Sequence, residues 1–249
     1  MSMEMQGRVV IVTGAAGGVG QAVTRMIRDR GGRVVAEDLS ESVTELYTND
    51  DGVATLVGDC ADITVADRAV ALAIETFGHL DGLVNNAGRF LLKPIGETSV
   101  DEWDALMTTN MRGAFVHTRQ ALPALTAAQG TIVNVASISG LVGFPGQIGY
   151  TATKGALVQL TRTSAIEFAP AGVRVNAVAP GSIDTGFMDE AMADNPDKEG
   201  TMKAIAASHP LNRIASPDEV AEAIVFLLSE RSRAITGAIL PVDGGYTAQ

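Results

Sequence analysis

Residues 8–20 read Arg8-Val-Val-Ile-Val-Thr13-Gly14-Ala-Ala-Gly-Gly-Val-Gly20, an apolar run that ends in a glycine-rich turn. The apolar run is rich in β-branched residues, which predicts a buried strand. Apolar residues then recur at helical spacing as far as Gly31, and residues 33–38 form a second short apolar run. This order of strand, turn, helix and strand predicts a βαβ unit with two parallel strands.

The glycines of this turn allow tight backbone conformations that a side chain would hinder. A backbone without side chains lets a pyrophosphate approach, and the N-terminus of the following helix supplies N–H donors and a partial positive charge. A glycine-rich turn alone is weak evidence for nucleotide binding. Its position between a strand and an amphipathic helix strengthens that interpretation.

A second chemically informative stretch runs from Ser137 to Lys154. Tyr150 and Lys154 are four positions apart, so a helix would place both side chains on one face. An ammonium ~4 Å from the phenol would favour the phenolate by roughly 4 kcal/mol at an effective dielectric of ~20, or about three pKa units, before desolvation of both groups takes some of this back. A tyrosine shifted in this way is a usable general base or acid. The alternative is an ordinary exposed helix pair.

The rest of the chain alternates apolar runs with helical patterns. Further strands are predicted at 54–59, 80–85, 131–137 and 174–179, and helices at 65–77, 101–125 and 150–169. Asn110 is unfavourable inside a helix, and a kink there would accommodate it. Ser216 followed by Pro217 predicts the capped start of another helix.

Composition excludes several classes of function. A net charge of −11 argues against nucleic acid or an anionic membrane as the main partner. The single Cys60 permits no intrachain disulfide, and the three histidines lack metal-ligand spacing, so no metal site is expected. The apolar run near the N-terminus is too short for a signal peptide, and a cytoplasmic location is expected.

Three motifs together resemble the short-chain dehydrogenase/reductase family. Ser137, Tyr150 and Lys154 match its catalytic Ser-(x12)-Tyr-x-x-x-Lys pattern, and residues 13–20 are similar to its T-G-x-x-x-G-x-G loop. Asn85-Asn-Ala-Gly88 matches its N-N-A-G motif in full. Residues 180–185 also resemble the family's P-G motif, and residues 237–245 resemble its last strand and tail, so the resemblance runs from Thr13 to Gly245. The general pattern is nearest to the 3-oxoacyl thioester reductases of the family.

The resemblance implies a Rossmann-type doubly wound parallel β-sheet of about seven strands with helices on both faces. A single domain spanning 1–249 would bind the cofactor at the topological switch point. Asn110 would be the fourth catalytic residue, holding a water that links Lys154 to solvent. A homotetramer is implied, with the helices that carry Asn110 and Tyr150 packing against partner copies.

NAD is predicted in preference to NADP. Asp38 ends the second predicted strand, where a carboxylate can accept hydrogen bonds from both ribose hydroxyls and would repel a 2′-phosphate. Gly17 supplies no cation at a turn position where NADP-dependent relatives often carry one. Asp38 could instead be only a turn or helix-capping residue.

The resemblance assigns further cofactor contacts. Asp59 would meet the adenine amino group, with Cys60 beside it as a small buried residue, and Thr185 would bond the nicotinamide carboxamide. The cofactor-binding residues implied are Gly14, Gly17, Gly18, Val19, Gly20, Asp38, Leu39, Asp59, Cys60, Asn86, Ala87, Gly88, Tyr150, Lys154, Pro180, Gly181, Ile183 and Thr185.

The expected reaction is hydride transfer between NAD and a secondary alcohol or ketone. Tyr150 would move the hydroxyl proton, and Ser137 would hold the substrate oxygen. The remaining substrate contacts expected are Arg89, Phe90, Leu91, Phe144, Gln147 and a mobile lid at 186–210. Two alternatives stay open: an NADPH-dependent 3-oxoacyl thioester reductase, and a dinucleotide-binding regulator without turnover.

Overall fold

The computed structural model describes residues 3–185 and 195–249. Within these ranges, seven strands form one sheet in the order β3-β2-β1-β4-β5-β6-β7, and all neighbouring pairs are parallel. The strands are β1 Val9–Thr13, β2 Arg33–Asp38, β3 Val53–Val57, β4 Gly82–Asn85, β5 Thr131–Val135, β6 Arg174–Pro180 and β7 Ile239–Val242. The strand order reverses between β1 and β4, so their carboxyl ends form a topological switch point. The predicted doubly wound sheet is confirmed.

Helices cover both faces of this sheet. The described helices are α1 Gly18–Asp29, α2 Ser42–Leu46, α3 Ile63–Phe77, α4 Val100–Met107, α5 Gly113–Ala128, α6 Ile148–Phe168, α7 Lys198–Ala207 and α8 Pro217–Leu228. Helix α8 begins with the predicted cap: the Ser216 hydroxyl accepts from the Glu219 N–H at 3.3 Å, and the Glu219 carboxylate accepts from the Ser216 N–H at 2.9 Å.

Two apolar cores lie on opposite faces of the sheet because side chains alternate along a strand. Val10 and Val12 of β1 pack in the core formed with α1 and α8. Val9 and Ile11 pack in the core formed with α3 and α5. All four side chains are buried, which explains why the strand reads as a continuous apolar run rather than as an alternating one.

The predicted helix at 101–125 is interrupted where a kink was expected. Helix α4 ends at Met107, a π-helical turn spans Thr108–Arg112, and α5 follows directly. A π turn holds one more residue per turn than an α-helix and often lies at functional sites. Asn110 lies in the middle of this turn and is buried.

Several predicted boundaries were wrong by a few residues. The third strand ends at Val57 rather than at residue 59, and the fifth ends at Val135 rather than at residue 137. The fourth begins at Gly82, and the short helix α2 was not predicted. Residues 186–194 of the predicted lid lie outside the described part of the chain, and its second half contains α7. No helix within residues 3–185 and 195–249 is long and apolar enough to cross a membrane.

Candidate active site

The glycine turn, residues 14–20, follows β1 at the switch point, and close contacts leave no room for a side chain at some of its positions. Gly14 has φ +66°, and a Cβ there would lie 2.9 Å from the Ala87 Cα. A Cβ on Gly20 would lie 2.1 Å from the Gly14 carbonyl oxygen, which is far inside contact distance. The turn therefore folds back tightly on itself and on the loop after β4.

Hydrogen bonds hold this turn against the Asn-Asn-Ala-Gly segment. The Asn86 Nδ2 donates to the carbonyl oxygens of Thr13, at 2.9 Å, and Gly14, at 3.0 Å. The Thr13 Oγ1 accepts from the backbone N–H groups of Asn86 and Ala87, both at 3.0 Å. The two motifs are thus one unit, and the role of Thr13 in joining them was not predicted.

Among the described residues, no side chain caps the N-terminus of α1. Its N-cap residue, Gly17, has no side chain, and the first turn contains no acidic residue. A Cβ on Gly18 would lie 2.9 Å from the Thr185 Cγ2, so Thr185 stands directly beside the glycine turn. The N–H groups at a helix N-terminus whose first turn holds no acidic side chain suit an anion such as a pyrophosphate.

Asp38 lies at the end of β2, next to the glycine turn. Its Oδ2 accepts from the Ala16 N–H and its Oδ1 from the Ser40 N–H, each at 2.9 Å. The Tyr47 hydroxyl donates to the Ala15 carbonyl oxygen at 2.9 Å and supports the same turn. Asp38 is therefore a turn-bonding residue, as the alternative interpretation held, and each carboxylate oxygen still has a lone pair for another donor.

The neighbouring adenine-side candidates differ in exposure. Leu39 is 73% exposed and Asp59 is exposed, while Cys60 is buried. Burial, with the charge of Glu37 adding to it, raises the pKa of the Cys60 thiol to about 12. Cys60 is therefore a small buried residue rather than a reactive thiol, as predicted.

Ser137 is brought to α6 by a close contact between backbones. It caps a short 3₁₀ turn at Ile138–Gly140, two residues beyond β5. A Cβ on Gly140 would lie 2.6 Å from the Lys154 carbonyl oxygen, so only glycine lets this turn pack so closely on α6. The interaction of the Ser137 hydroxyl with the Tyr150 phenol acts to lower the pKa of that phenol.

Tyr150 and Lys154 lie one turn apart on α6, as predicted. The Lys154 Nζ is 5.6 Å from the centre of the Tyr150 ring and donates to the Val135 carbonyl oxygen at 2.8 Å. Lys154 is only 4% exposed, whereas the Tyr150 side chain is half-buried.

The predicted direction of the Tyr150 pKa shift was wrong. Burial raises the pKa of Tyr150 to about 12, and the interaction with Ser137 offsets only part of this rise. Burial also lowers the pKa of Lys154 to about 8. The helical spacing correctly predicted a shared face, but burial disfavours the charged form of each group more strongly than the pair attraction favours it.

Asn110 connects the π turn to the group formed by Ser137, Tyr150 and Lys154, which is called the catalytic corner below. Its Oδ1 accepts from the Arg89 N–H at 2.7 Å, and its Nδ2 donates to the Arg89 carbonyl oxygen and to the Thr153 Oγ1, both at 3.0 Å. A Cβ on Gly88 would lie 3.4 Å from the Asn110 Oδ1 and 3.6 Å from the Lys154 Nζ. The contact with Thr153 was not predicted, although its place between Tyr150 and Lys154 is visible in the sequence.

The segment after β6 closes the site on the far side. Pro180 is the last residue of β6, and a Cβ on Gly181 would lie 2.9 Å from the His209 Nε2. Ile183 forms a parallel bridge with Ala215. With Thr185 beside Gly18, this segment reaches from the end of β6 to the glycine turn.

Aromatic rings line the predicted substrate side. Phe90 packs edge-on against Tyr150 with ring centres 5.0 Å apart, and Phe144 stacks on Tyr246 at 5.5 Å. The Gln147 Oε1 accepts a hydrogen bond from the Ser139 hydroxyl at 2.9 Å, so this oxygen already has one hydrogen-bond partner. The position of Tyr246 on this side of the site was not predicted. The sequence signal that was available for it is a lone aromatic residue after Gly244-Gly245.

The switch-point turn and the Ser137, Tyr150 and Lys154 corner define a dinucleotide-binding oxidoreductase of the Rossmann type. A family model described as enoyl-(acyl carrier protein) reductase matches residues 14–247. The chain belongs to the short-chain dehydrogenase/reductase family, whose dehydrogenases use NAD(P) and act on hydroxyl groups.

Similar proteins extend over the full chain. A 2-(S)-hydroxypropyl-CoM dehydrogenase of Xanthobacter autotrophicus is 36% identical, and the match covers 100% of both chains. A cis-4-hydroxycyclohexanecarboxylate dehydrogenase of Sinomonas cyclohexanicum is 41% identical over 97% of each. The solved structure of the aldohexose dehydrogenase of Thermoplasma acidophilum, in ligand-free form, has a TM-score of 0.91 at 28% identity and covers 100% of this chain and 97% of that one.

Proposed function

We propose that the chain is an NAD(H)-dependent dehydrogenase that interconverts a secondary alcohol and a ketone. The observation that carries this proposal is the convergence of Ser137, Tyr150, Lys154 and Asn110 beside the glycine turn. The two relatives named above support the substrate class, because both are dehydrogenases named for hydroxylated substrates.

The residues at the switch point fit a nicotinamide dinucleotide. The uncapped N-terminus of α1 and the glycine turn suit its pyrophosphate, and Asp38 suits its adenosine ribose. When bound, the nicotinamide donates or accepts the hydride. On the family pattern, Lys154 would hold the nicotinamide ribose. The middle of the dinucleotide and its carboxamide end would be lined by Asn86, Ala87, Gly88, Pro180, Gly181, Ile183 and Thr185. Val19, Leu39, Asp59 and Cys60 would complete the adenosine side.

Tyr150 is the residue that moves the proton. With its pKa raised to about 12 by burial, it is a phenol at neutral pH and is ready to donate to a ketone oxygen. In the opposite direction it must lose that proton, and the groups that favour the phenolate are the Ser137 hydroxyl and the Lys154 ammonium. The Ser137 hydroxyl also suits polarisation of the substrate oxygen.

Asn110 suits the far end of a proton path. Its amide ties the Arg89 backbone and the Thr153 hydroxyl to the π turn, close to the Lys154 ammonium. A water held at this point would link Lys154 to solvent, as the family pattern implies.

Preference for NAD over NADP rests on the charge of Asp38. A carboxylate at the ribose would repel a 2′-phosphate, and Gly17 supplies no compensating cation. In a titration read by nicotinamide fluorescence, NADH should bind at least about tenfold more tightly than NADPH. Asp38→Asn keeps the size of the side chain and should remove most of this preference. Asp51→Asn, at an exposed turn carboxylate, is the matched control.

Tight NADPH binding by the wild-type protein would contradict the NAD assignment and favour the 3-oxoacyl thioester reductase. Binding of neither dinucleotide would favour the regulator without turnover. Activity with NAD and small cyclic or branched secondary alcohols would support the proposed dehydrogenase reaction.

The aromatic lining suggests a moderately apolar substrate. Phe90, Phe144 and Tyr246 supply ring faces near Tyr150 and the segment at 144–147. Arg89 is exposed beside them and could meet a polar or anionic group on the same substrate. Comparison of uncharged and carboxylated cyclic alcohols would separate the two possibilities.

We further propose a single domain over 1–249 that assembles as a homotetramer in the cytoplasm. Phe115 on α5 is 51% exposed and Ile166 on α6 is 77% exposed, so both helices present apolar side chains to solvent in one copy of the chain. Pairing of these helices between copies would cover them. A monomer mass from light scattering would contradict the tetramer.

A further inference from the structure

A buried charged pair lies outside the proposed mechanism. Glu37 of β2 and His117 of α5 are each 1% exposed, and the His117 Nε2 lies 2.6 Å from the Glu37 Oε2. The other ring nitrogen, Nδ1, lies 3.1 Å from the Gly113 carbonyl oxygen. Glu37 and the Gly113 carbonyl both favour an imidazolium that donates from each ring nitrogen, and they raise the pKa of His117 above its ordinary value although burial opposes the rise.

Each end of this pair adjoins a different part of the site. The Glu37 carbonyl oxygen accepts from the Ala15 N–H of the glycine turn at 2.9 Å. The next residue is Asp38, whose carboxylate accepts from the Ala16 N–H. At the other end, Gly113 directly follows the π turn that carries Asn110. The pair therefore connects the adenosine side of the site to the catalytic side.

Stability alone does not explain a charged pair at this position. Two well-packed apolar side chains would fill the same space without the cost of removing two charges from water, and such replacements are often neutral or stabilising. A buried hydrogen bond between Glu37 and His117 is directional, however, and therefore restricts the relative position of β2 and α5. This pair is therefore better suited to positioning than to bulk stabilisation.

We propose that Glu37 and His117 are positioning residues that hold the end of β2, and with it Asp38 and the glycine turn, in the geometry that binds the dinucleotide. This inference rests on the proposed function, because it assumes that Asp38 and the turn face the cofactor. Glu37 acts through its backbone carbonyl, which is bonded to Ala15 of the turn, and through the adjoining Asp38, and His117 acts through Glu37.

The test is NADH binding and amide exchange in the full chain. His117→Leu should weaken NADH binding about tenfold, and His117→Gln, whose amide can still donate to Glu37, should stay within about threefold of the wild type. Hydrogen–deuterium exchange of residues 13–20 in the protein without nucleotide should become faster in His117→Leu and return toward the wild-type rate in His117→Gln.

Leu125→Ala is the matched control, because Leu125 is fully buried on the same helix and in the same core but far along the chain from Gly113. It should lower the melting temperature while leaving NADH binding and exchange at 13–20 unchanged. A folded His117→Leu protein with wild-type NADH affinity and wild-type exchange would overturn the proposal. If His117→Leu does not fold, Glu37→Gln takes its place, and its NADH affinity should fall about fivefold. Wild-type NADH affinity and wild-type exchange at 13–20 in that variant would overturn the proposal.

Failure of the proposed function gives a different pattern. A wild-type chain that binds neither NADH nor NADPH would refute the cofactor assignment. The exchange measurement would still decide the positioning role: faster exchange at 13–20 in His117→Leu supports it, and unchanged exchange overturns it.

Discussion

The glycine turn and the catalytic corner lie side by side at the strand ends, but different forces hold them. In the turn, polar groups satisfy one another, as where the Thr13 hydroxyl and the Asn86 amide each make two hydrogen bonds across the switch point. In the corner, burial raises the pKa of Tyr150 to about 12 and lowers that of Lys154 to about 8. Burial therefore disfavours the charged forms of both groups.

This difference predicts opposite sensitivities. The turn should be sensitive above all to added volume, because backbone atoms already lie in contact across it. Loss of a charge in the catalytic corner should leave the fold intact and even raise the free energy of unfolding, while turnover is lost. Buried charges that reduce stability are expected where a protein gives up stability for activity.

The largest expected effect is on turnover at the corner. Tyr150→Phe removes the phenol proton but keeps the ring that packs against Phe90, so turnover should fall about a thousandfold. NADH affinity, measured by fluorescence, should change little and serves as the control. Near-normal turnover in this variant would refute the role of Tyr150.

The turn should respond most strongly to volume. Gly20→Ala places a Cβ 2.1 Å from the Gly14 carbonyl oxygen and should lower the free energy of unfolding by about 3 kcal/mol. Gly96→Ala is the control, because a Cβ there would meet no atom within 4 Å. Urea denaturation compares the two variants, and equal losses would show that the turn is not sterically restricted.

Removal of the buried ammonium should stabilise the fold. The pKa of Lys154 falls from an ordinary 10.5 to about 8, so its charge lowers the free energy of unfolding by roughly 3 kcal/mol at pH 7. A variant without the ammonium regains this stability but loses about 1 kcal/mol with the hydrogen bond to Val135. Lys154→Met should therefore be about 2 kcal/mol more stable at pH 7 and inactive. The gain should disappear as pH rises from 8 through 10.5. A less stable variant at pH 7 would contradict this reasoning.

The smallest effect concerns the pair beneath the turn. Burial alone would lower the pKa of His117, but the hydrogen bond and charge of Glu37 outweigh it, and the pKa lies above its ordinary value of 6.5. The stability gained from this shift is fully present below about pH 6.5 and is lost as pH rises through the raised pKa.

The difference in free energy of unfolding between the wild type and His117→Gln should therefore be larger, in favour of the wild type, at pH 6 than at pH 9. Denaturation curves at both values measure this difference. Leu125→Ala, which removes no titrating group, should show no such dependence. A pH-independent difference for His117→Gln would mean that the pair does not carry its charge in the folded state.

Features set by local geometry could be predicted from the sequence. A tight turn between a strand and a helix needs glycines, and a cap such as Ser216 needs only the residues that follow it. The shared face of Tyr150 and Lys154 follows from helical spacing alone. These predictions use neighbours in the chain, so they survive without knowledge of the tertiary structure.

Features set by burial or by distant contacts could not be predicted. The direction of the Tyr150 pKa shift depends on how much protein surrounds the phenol, which spacing does not reveal. Glu37 and His117 are 80 positions apart, and each reads as an ordinary polar residue until β2 and α5 meet. Asn110 predicted a disturbance in its helix, but the form of that disturbance, a π turn, depends on packing against Arg89 and Thr153.

The π turn makes the site dependent on chain length as well as on residue identity. Each α-helical residue advances the side-chain direction by about 100°, and a π turn accommodates one additional residue without rotating the helix that follows. Deletion of a single residue within Thr108–Arg112 would let α4 and α5 join as one regular helix with their buried faces still aligned. The fold would survive such a deletion, while the local widening that turns Asn110 toward Gly88 and Lys154 would be lost. A relative shortened by one residue at this point would therefore keep the architecture and lose one arm of the catalytic corner.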